Sequence, residues 1–188
     1  MKQTPSQTIG PFFAFGLIRK GENIVARESV EGQRIRIEGR VFDGEGKIVP
    51  DAMIEIWQAN AYGRYNHPED KQEKPLDPAF AGFGRAGTDD NGVYWFDTIK
   101  PGPVPGPGDS PRAPHLNLTV FARGMLLHVF TRIYFDDEPA NEADSVLSRV
   151  EEGRRGTLVA RREKSGDKAV YRVDIHLQGE NETVFFDI

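Results

Sequence analysis

The residues of this chain that could do chemistry are its four histidines, a short acidic run and the polar face of one strand. The strand is the most informative. In the run 115–123 a two-residue period puts His115, Asn117, Thr119, Phe121 and Arg123 on one face and Leu116, Leu118 and Val120 on the other. A His-x-His pair there would project two imidazoles to one side, an arrangement suited to iron or zinc. The second position is Asn117, and a neutral amide is a poor donor to a hard trivalent ion, so the metal face is incomplete. His176 falls on a polar strand face with Arg172 and Asp174 and reads as solvated. His128 lies inside an apolar run and reads as a hydrogen-bonded core or edge histidine, and His67, beside Pro68 and Asp70, reads as an exposed loop residue. Asp136-Asp137-Glu138 reads as a solvated turn rather than a carboxylate metal site.

The chain has no cysteine, which removes disulfides, thiolate nucleophiles, zinc ribbons and iron–sulfur clusters. It also lacks a Gly-x-Ser-x-Gly elbow, a phosphate loop and a dinucleotide fingerprint, so nothing supports nucleophilic hydrolysis or nucleotide chemistry. Lys and Arg number 24 against 29 Asp and Glu, for a formal charge of −5. Such a balance offers no basic footprint for nucleic acid or an anionic membrane. With 188 residues, 38% of them hydrophobic, the expectation is one folded domain spanning 1–188. No run of about 18 apolar residues occurs and the first ten residues do not resemble a signal peptide, so the expected location is the cytoplasm.

Twenty glycines and 13 prolines cluster between short patterned runs, and that spacing predicts strands. Strands are expected at 34–41, 52–58, 93–99, 116–123, 125–135, 157–161, 171–177 and 183–186. The 43–46 turn should fold the first two into a hairpin, and the Asp-Asp-Asn-Gly turn at 89–92 suggests a second. The single helical candidate is 139–150. Two segments, 60–87 and 101–111, are rich in Pro and Gly and read as loops. In the first of them Tyr62, Tyr65, Phe80 and Phe83 argue for packing over a site. The expected fold is all-β, an antiparallel β-sandwich with long loops and at most one short helix.

Several stretches taken together are more specific than any periodicity. They are Thr4-Pro5-Ser6-Gln7-Thr8-Ile9-Gly10-Pro11, Ile54-Glu55-Ile56-Trp57-Gln58-Ala59-Asn60, Thr98-Ile99-Lys100-Pro101-Gly102, Ala113-Pro114-His115-Leu116-Asn117, Val120-Phe121-Ala122-Arg123-Gly124, Thr131-Arg132-Ile133-Tyr134-Phe135-Asp136-Asp137-Glu138 and the ending Gly179-Glu180-Asn181-Glu182-Thr183-Val184-Phe185-Phe186-Asp187. With them the sequence resembles the intradiol ring-cleavage dioxygenases over nearly its whole length. In that family a catalytic chain holds non-haem ferric iron with two tyrosinates and two histidines. Carried over by motif, the first Tyr falls on Tyr65 and the first His on His115, whereas Val104 stands at the second Tyr position and Asn117 at the second His.

The resemblance therefore implies a chain that binds no catalytic iron and has no catalytic residue of its own, associated with a second chain that keeps the ferric ion. It further implies a higher-order assembly of the two chains. Residues 1–20 would form an extended segment reaching that partner, so that Thr8, Gly10, Pro11 and Arg123 line the partner's substrate pocket. The implied reaction is cleavage of 3,4-dihydroxybenzoate by O2 between its two hydroxylated carbons. A guanidinium at Arg123 suits the substrate carboxylate, because its planar donor fork is permanently charged. Two other readings are a self-sufficient catechol or hydroxyquinol dioxygenase, using ligands such as His67 or His128, and a non-enzymatic β-sandwich that holds an aromatic acid.

Overall fold

The computed structural model describes residues 15–163 and 168–187. Thr8, Gly10 and Pro11 lie outside the described residues, as does most of the expected N-terminal segment. The strands are β1 (Arg34–Phe42), β2 (Met53–Trp57), β3 (Phe83–Gly87), β4 (Val93–Ile99), β5 (Val104–Pro105), β6 (Pro111–Arg112), β7 (Leu116–Phe121), β8 (Val129–Phe135), β9 (Val159–Glu163), β10 (Ala169–Arg172) and β11 (Ile175–His176). β1 pairs with β4 antiparallel and with β10 and β11 in parallel, and β10 pairs with β9. In the other half β3, β2, β7 and β8 form an antiparallel run. A two-residue parallel contact of β8 with β9 joins the halves into a nearly closed, sandwich-like sheet. The all-β expectation holds.

Strand β1 shows why these residues form this layer. Ile35, Ile37 and Val41 point into the core with no exposure, while the polar residues between them stay half-buried or exposed. Burying each such side chain contributes about 1.5–3 kcal/mol. Gly39 takes an inward position because the Val173 carbonyl crosses there; a Cβ would stand 1.7 Å from that oxygen. The same carbonyl accepts a hydrogen bond from the Tyr94 hydroxyl at 2.8 Å. The chain thus passes against β1 between β10 and β11, which splits the single strand expected at 171–177.

Two expected pairings differ. β1 and β2 do not form a hairpin: after the 43–46 turn the chain makes only a bridge from Phe42 to Ile48, and β2 joins the opposite half of the sandwich. β3 was hidden inside the expected 60–87 loop, because Phe-Gly-Arg-Ala-Gly has almost no β-branched character. Its glycines have a steric role that no propensity reveals. Residues 18–25 run across them, so a Cβ at Gly84 would meet Val25 Cγ2 at 2.4 Å and one at Gly87 would meet Ile18 Cδ1 at 2.6 Å. That crossing segment also fills the gap between the halves, since Glu22 O accepts from Arg85 N and Asn23 O from Asp97 N. The 89–92 turn accordingly carries the chain from one half to the other and closes no β3–β4 ladder.

Residues 139–150 form no continuous helix but two 3-10 turns, Pro139–Ala143 and Leu147–Arg149. The strand expected at 157–161 begins at Val159, after a 3-10 segment Glu152–Leu158, and 183–186 contributes only a bridge from Phe186 to Phe130. A buried polar tie crosses the core, where Thr98 Oγ1 donates to Gln58 Oε1 at 2.6 Å and Gln58 Nε2 donates to Ile99 O at 3.0 Å. Among the described residues no helix is long and apolar enough to cross a membrane.

Candidate functional site: a hydrogen-bonded row where a metal cage would stand

Sheet register builds the site. Trp57 on β2 pairs with Asn117 on β7, which pairs with Arg132 on β8, so the three side chains form one row across three strands. Asn117 sits at the centre. Its Nδ2 donates to the Trp57 carbonyl at 3.2 Å and to the Tyr65 hydroxyl at 3.1 Å, and its Oδ1 accepts from Arg132 Nε at 3.0 Å. Tyr65 reaches the row from the 60–87 loop and stacks on Trp57, with ring centroids 5.8 Å apart. The loop is held by Asp70, which accepts from Tyr65 N at 2.8 Å and from Gln72 N at 3.0 Å.

Val104 arrives on a two-stranded ribbon in which β5 pairs with β6, opposite Arg112. His115 enters from the residue before β7 and is buried, its Nδ1 lying 2.7 Å from the Ala113 carbonyl. A carbonyl only accepts, so Nδ1 carries the proton and Nε2 keeps a lone pair. The Ala113 amide in turn donates to Asp144 at 2.8 Å. Tyr65, Val104 and His115 share a cavity of about 410 Å3 with Trp57, Arg112 and Arg132. A larger, mainly apolar groove of about 610 Å3 runs alongside over the outer sheet face, sharing Trp57, Asn117 and Arg132. The smaller cavity holds the polar chemistry, and the larger is surface between Phe83, Phe130 and Phe186.

All four positions singled out by motif, Tyr65, Val104, His115 and Asn117, are therefore brought together. Arg123 is not among them. It follows the far end of β7, in the turn with Gly124, is exposed, and pairs with Asp51 at 2.7 Å. His67 lines the same cavity from an exposed loop position, edge-on to Trp57 at 6.4 Å. His128 corrects its sequence reading: it precedes β8, is exposed, and packs its ring on Phe121 and Phe130 without entering the core. The chain turns at Gly124 (φ +79°) and stays irregular through His128, so the strand expected at 125–135 begins only at Val129 and His128 lies outside it. His176 is half-buried on β11 and stacks on Phe42 at 4.8 Å. Sequence reasoning missed Arg132, whose signal was a lone arginine between inward Thr131 and Ile133.

Electrostatics disfavour a cation here. Burial, followed by the Arg132 guanidinium, depresses His115 to a pKa of about 4. Burial raises the Tyr65 pKa, outweighing the Asn117 hydrogen bond and the two nearby arginines, so the phenol keeps its proton at neutral pH. Of the donors needed for a ferric cage only His115 Nε2 is ready. Val104 is hydrocarbon, Asn117 presents N–H hydrogens to Tyr65, and Arg132 brings a permanent positive charge to the same row. These residues do not fit a ferric ion. His115 should stay neutral down to about pH 5, as followed by its imidazole NMR shifts. A folded-state pKa below the unfolded value of 6.5 means the unfolded chain binds the extra proton first. Stability should therefore fall as pH drops from about 6.5 towards 4, and denaturant midpoints should show a shallower fall in His115→Gln.

Comparison with known proteins places this architecture. The family model described as Dioxygenase matches residues 9–179, and the chain belongs to the intradiol ring-cleavage dioxygenases. Its class of chemistry is that of an oxidoreductase that opens aromatic rings with dioxygen. The chain is 44% identical to the protocatechuate 3,4-dioxygenase alpha chain of Burkholderia cepacia, over all of this chain and 98% of that one. To the beta chain of that enzyme from the same organism it is 37% identical, over 86% of this chain and 72% of the other. The dioxygenase domain of a carbohydrate-binding fusion protein from Streptomyces sp. SirexAA-E shares the fold at a TM-score of 0.64 and 22% identity, covering 94% of this chain and 99% of that one.

Proposed function

We propose that this chain is the alpha subunit of a protocatechuate 3,4-dioxygenase. In this reading it is a chain without iron that lines the reaction chamber of a beta-chain partner. The observation that carries the reading is the Tyr65–Asn117–Arg132 row, in which an amide and a guanidinium occupy the neighbourhood where a ferric cage would need anionic or imidazole donors. Similarity to both alpha and beta chains of one enzyme supports an alpha–beta assembly, and the location we propose for it is the cytoplasm. The ferric ion would be held by the beta chain. There the assembly would convert protocatechuate and O2 to 3-carboxy-cis,cis-muconate.

The parts this chain would lend are Thr8, Gly10 and Pro11 from its N-terminal segment, together with Arg123. Arg123 is exposed and, among the described residues, bound to Asp51 alone, so its guanidinium can exchange that partner for a substrate carboxylate. Metal analysis tests the division of labour. Expressed alone and supplied with ferric iron, the chain should purify colourless with well under about 0.1 equivalent of iron, whereas co-expression with a beta chain should yield a coloured, active complex. About one equivalent of iron in the lone chain, with oxygen uptake on catechol or hydroxyquinol, would overturn the reading in favour of a self-sufficient enzyme.

A further inference from the structure

The chain preceding β1 is fastened to the sandwich at one guanidinium. Arg85 on β3 donates from Nε to Glu55 Oε1 on β2 at 2.9 Å and from Nη1 to the Leu17 carbonyl at 3.0 Å, while its backbone amide donates to the Glu22 carbonyl at 3.2 Å. Glu22 also sets a carboxylate oxygen 3.8 Å from Nη1 and accepts from Arg19 N at 3.3 Å. Two carboxylates and a carbonyl thus close around one side chain that is only 18% exposed. A guanidinium can serve all three at once because its donors point outward from a rigid plane, whereas an ammonium is a point charge.

The packing around Arg85 is shaped for the same segment. Gly84 and Gly87 flank it and leave room for Val25 and Ile18. The 22–26 stretch is also held by backbone bonds to Asp97 on β4, through Asn23 O, Val25 N and Ala26 N. Among the described residues the 15–21 stretch has a single hydrogen bond to the sheet, the one from Arg85 to Leu17 O. Leu17 follows Pro11 by six positions, and six residues span at most about 22 Å. Where Leu17 is held therefore fixes the origin from which that part of the chain is delivered. We propose that Arg85 is a positioning residue for ring cleavage in the assembled enzyme: it sets the root of the N-terminal segment and, through that segment, the partner's substrate pocket. The inference rests on the reading above in which Thr8, Gly10 and Pro11 line that pocket, whereas the clamp itself belongs to this chain.

The test uses the alpha–beta enzyme as it purifies from co-expression. Arg85→Lys keeps a cation between Glu22 and Glu55, so its melting temperature should stay within about 3 °C of the parent, but an ammonium cannot also hold Leu17 in place. Its KM should rise at least about tenfold for protocatechuate and catechol alike, with kcat within about threefold, because a displaced pocket wall affects both rings. Hydrogen exchange in a peptide spanning 15–22 should quicken at least about fivefold while that of β1 stays unchanged. Deletion of residues 1–14 should raise both KM values by itself, and adding Arg85→Lys to it should change them by less than about twofold, a non-additivity that a general weakening of the fold would not give. Unchanged KM after the deletion would overturn the pocket-lining reading and this inference with it. A raised KM after the deletion, with Arg85→Lys matching the parent in KM or exchange or with the two effects adding, would overturn this inference alone.

Discussion

Replacing Arg123 with alanine in an assembled alpha–beta enzyme should raise KM for protocatechuate about 10- to 100-fold and leave KM for catechol within about threefold. A hydrogen-bonded ion pair between a guanidinium and a carboxylate is worth about 1.5–3 kcal/mol, which sets the range. Catechol has no carboxylate and so cannot lose that contact. The Arg123 side chain is exposed and, among the described residues, pairs only with Asp51 across a surface edge, so its removal should leave the fold intact, with a change in stability within about 0.5 kcal/mol. Steady-state kinetics on both substrates decide the matter. Equal losses on protocatechuate and catechol would remove the carboxylate role. If Asp51 acts as a place-holder, Asp51→Asn should spare protocatechuate binding.

The second large effect is structural. Asp144→Ala should destabilise the chain by about 3–5 kcal/mol, a drop of about 10 °C in melting temperature for a chain of this size. The Asp144 carboxylate is fully buried and accepts from Ala113 N, Val146 N and Leu147 N at 2.8–2.9 Å and from the Tyr134 hydroxyl at 3.1 Å. Truncation would strand all four donors away from water. Burial acts to raise its pKa, but the hydrogen bonds from Leu147, Ala113, Val146 and Tyr134 outweigh burial and hold it below the usual carboxylate range. A depressed folded pKa contributes stability above the unfolded value of about 3.8, and that stability is lost as pH falls through the folded pKa. The difference between parent and Asp144→Ala should hence be full at pH 6 and shrink below about pH 4. Because Asp144 holds Ala113, and Ala113 holds His115, the variant should also shift the His115 imidazole resonances. Denaturation curves over pH and NMR of His115 check both effects.

These expectations draw on different depths of information. The alternation of Ile35, Ile37 and Val41 with polar neighbours is written in the order of residues, and β1 follows it because a strand's side chains alternate. The pairing partner of that strand is not so written. The 43–46 turn is compatible with a hairpin, yet β2 crosses to the other layer, where burial against β3 and β7 satisfies both edges of a largely apolar strand. β3 carried no local signal at all, since its glycines answer to a segment 59 to 69 residues upstream that lies across them.

The site divides the same way. The sequence by itself determined the residue types at the four positions singled out by motif, and a valine and a neutral amide at Val104 and Asn117 are not ferric donors, because a residue's donor chemistry is covalent and does not depend on folding. Tertiary structure alone decided what surrounds those positions. Only the β2–β7–β8 register sets Trp57, Asn117 and Arg132 in one row, and only the ribbon at 104–112 brings a second guanidinium to the same cavity. Those residues are up to 75 positions apart in the chain. Their juxtaposition is a property of sheet pairing, which is specified by burial across the whole sandwich and leaves no local mark at any one of them.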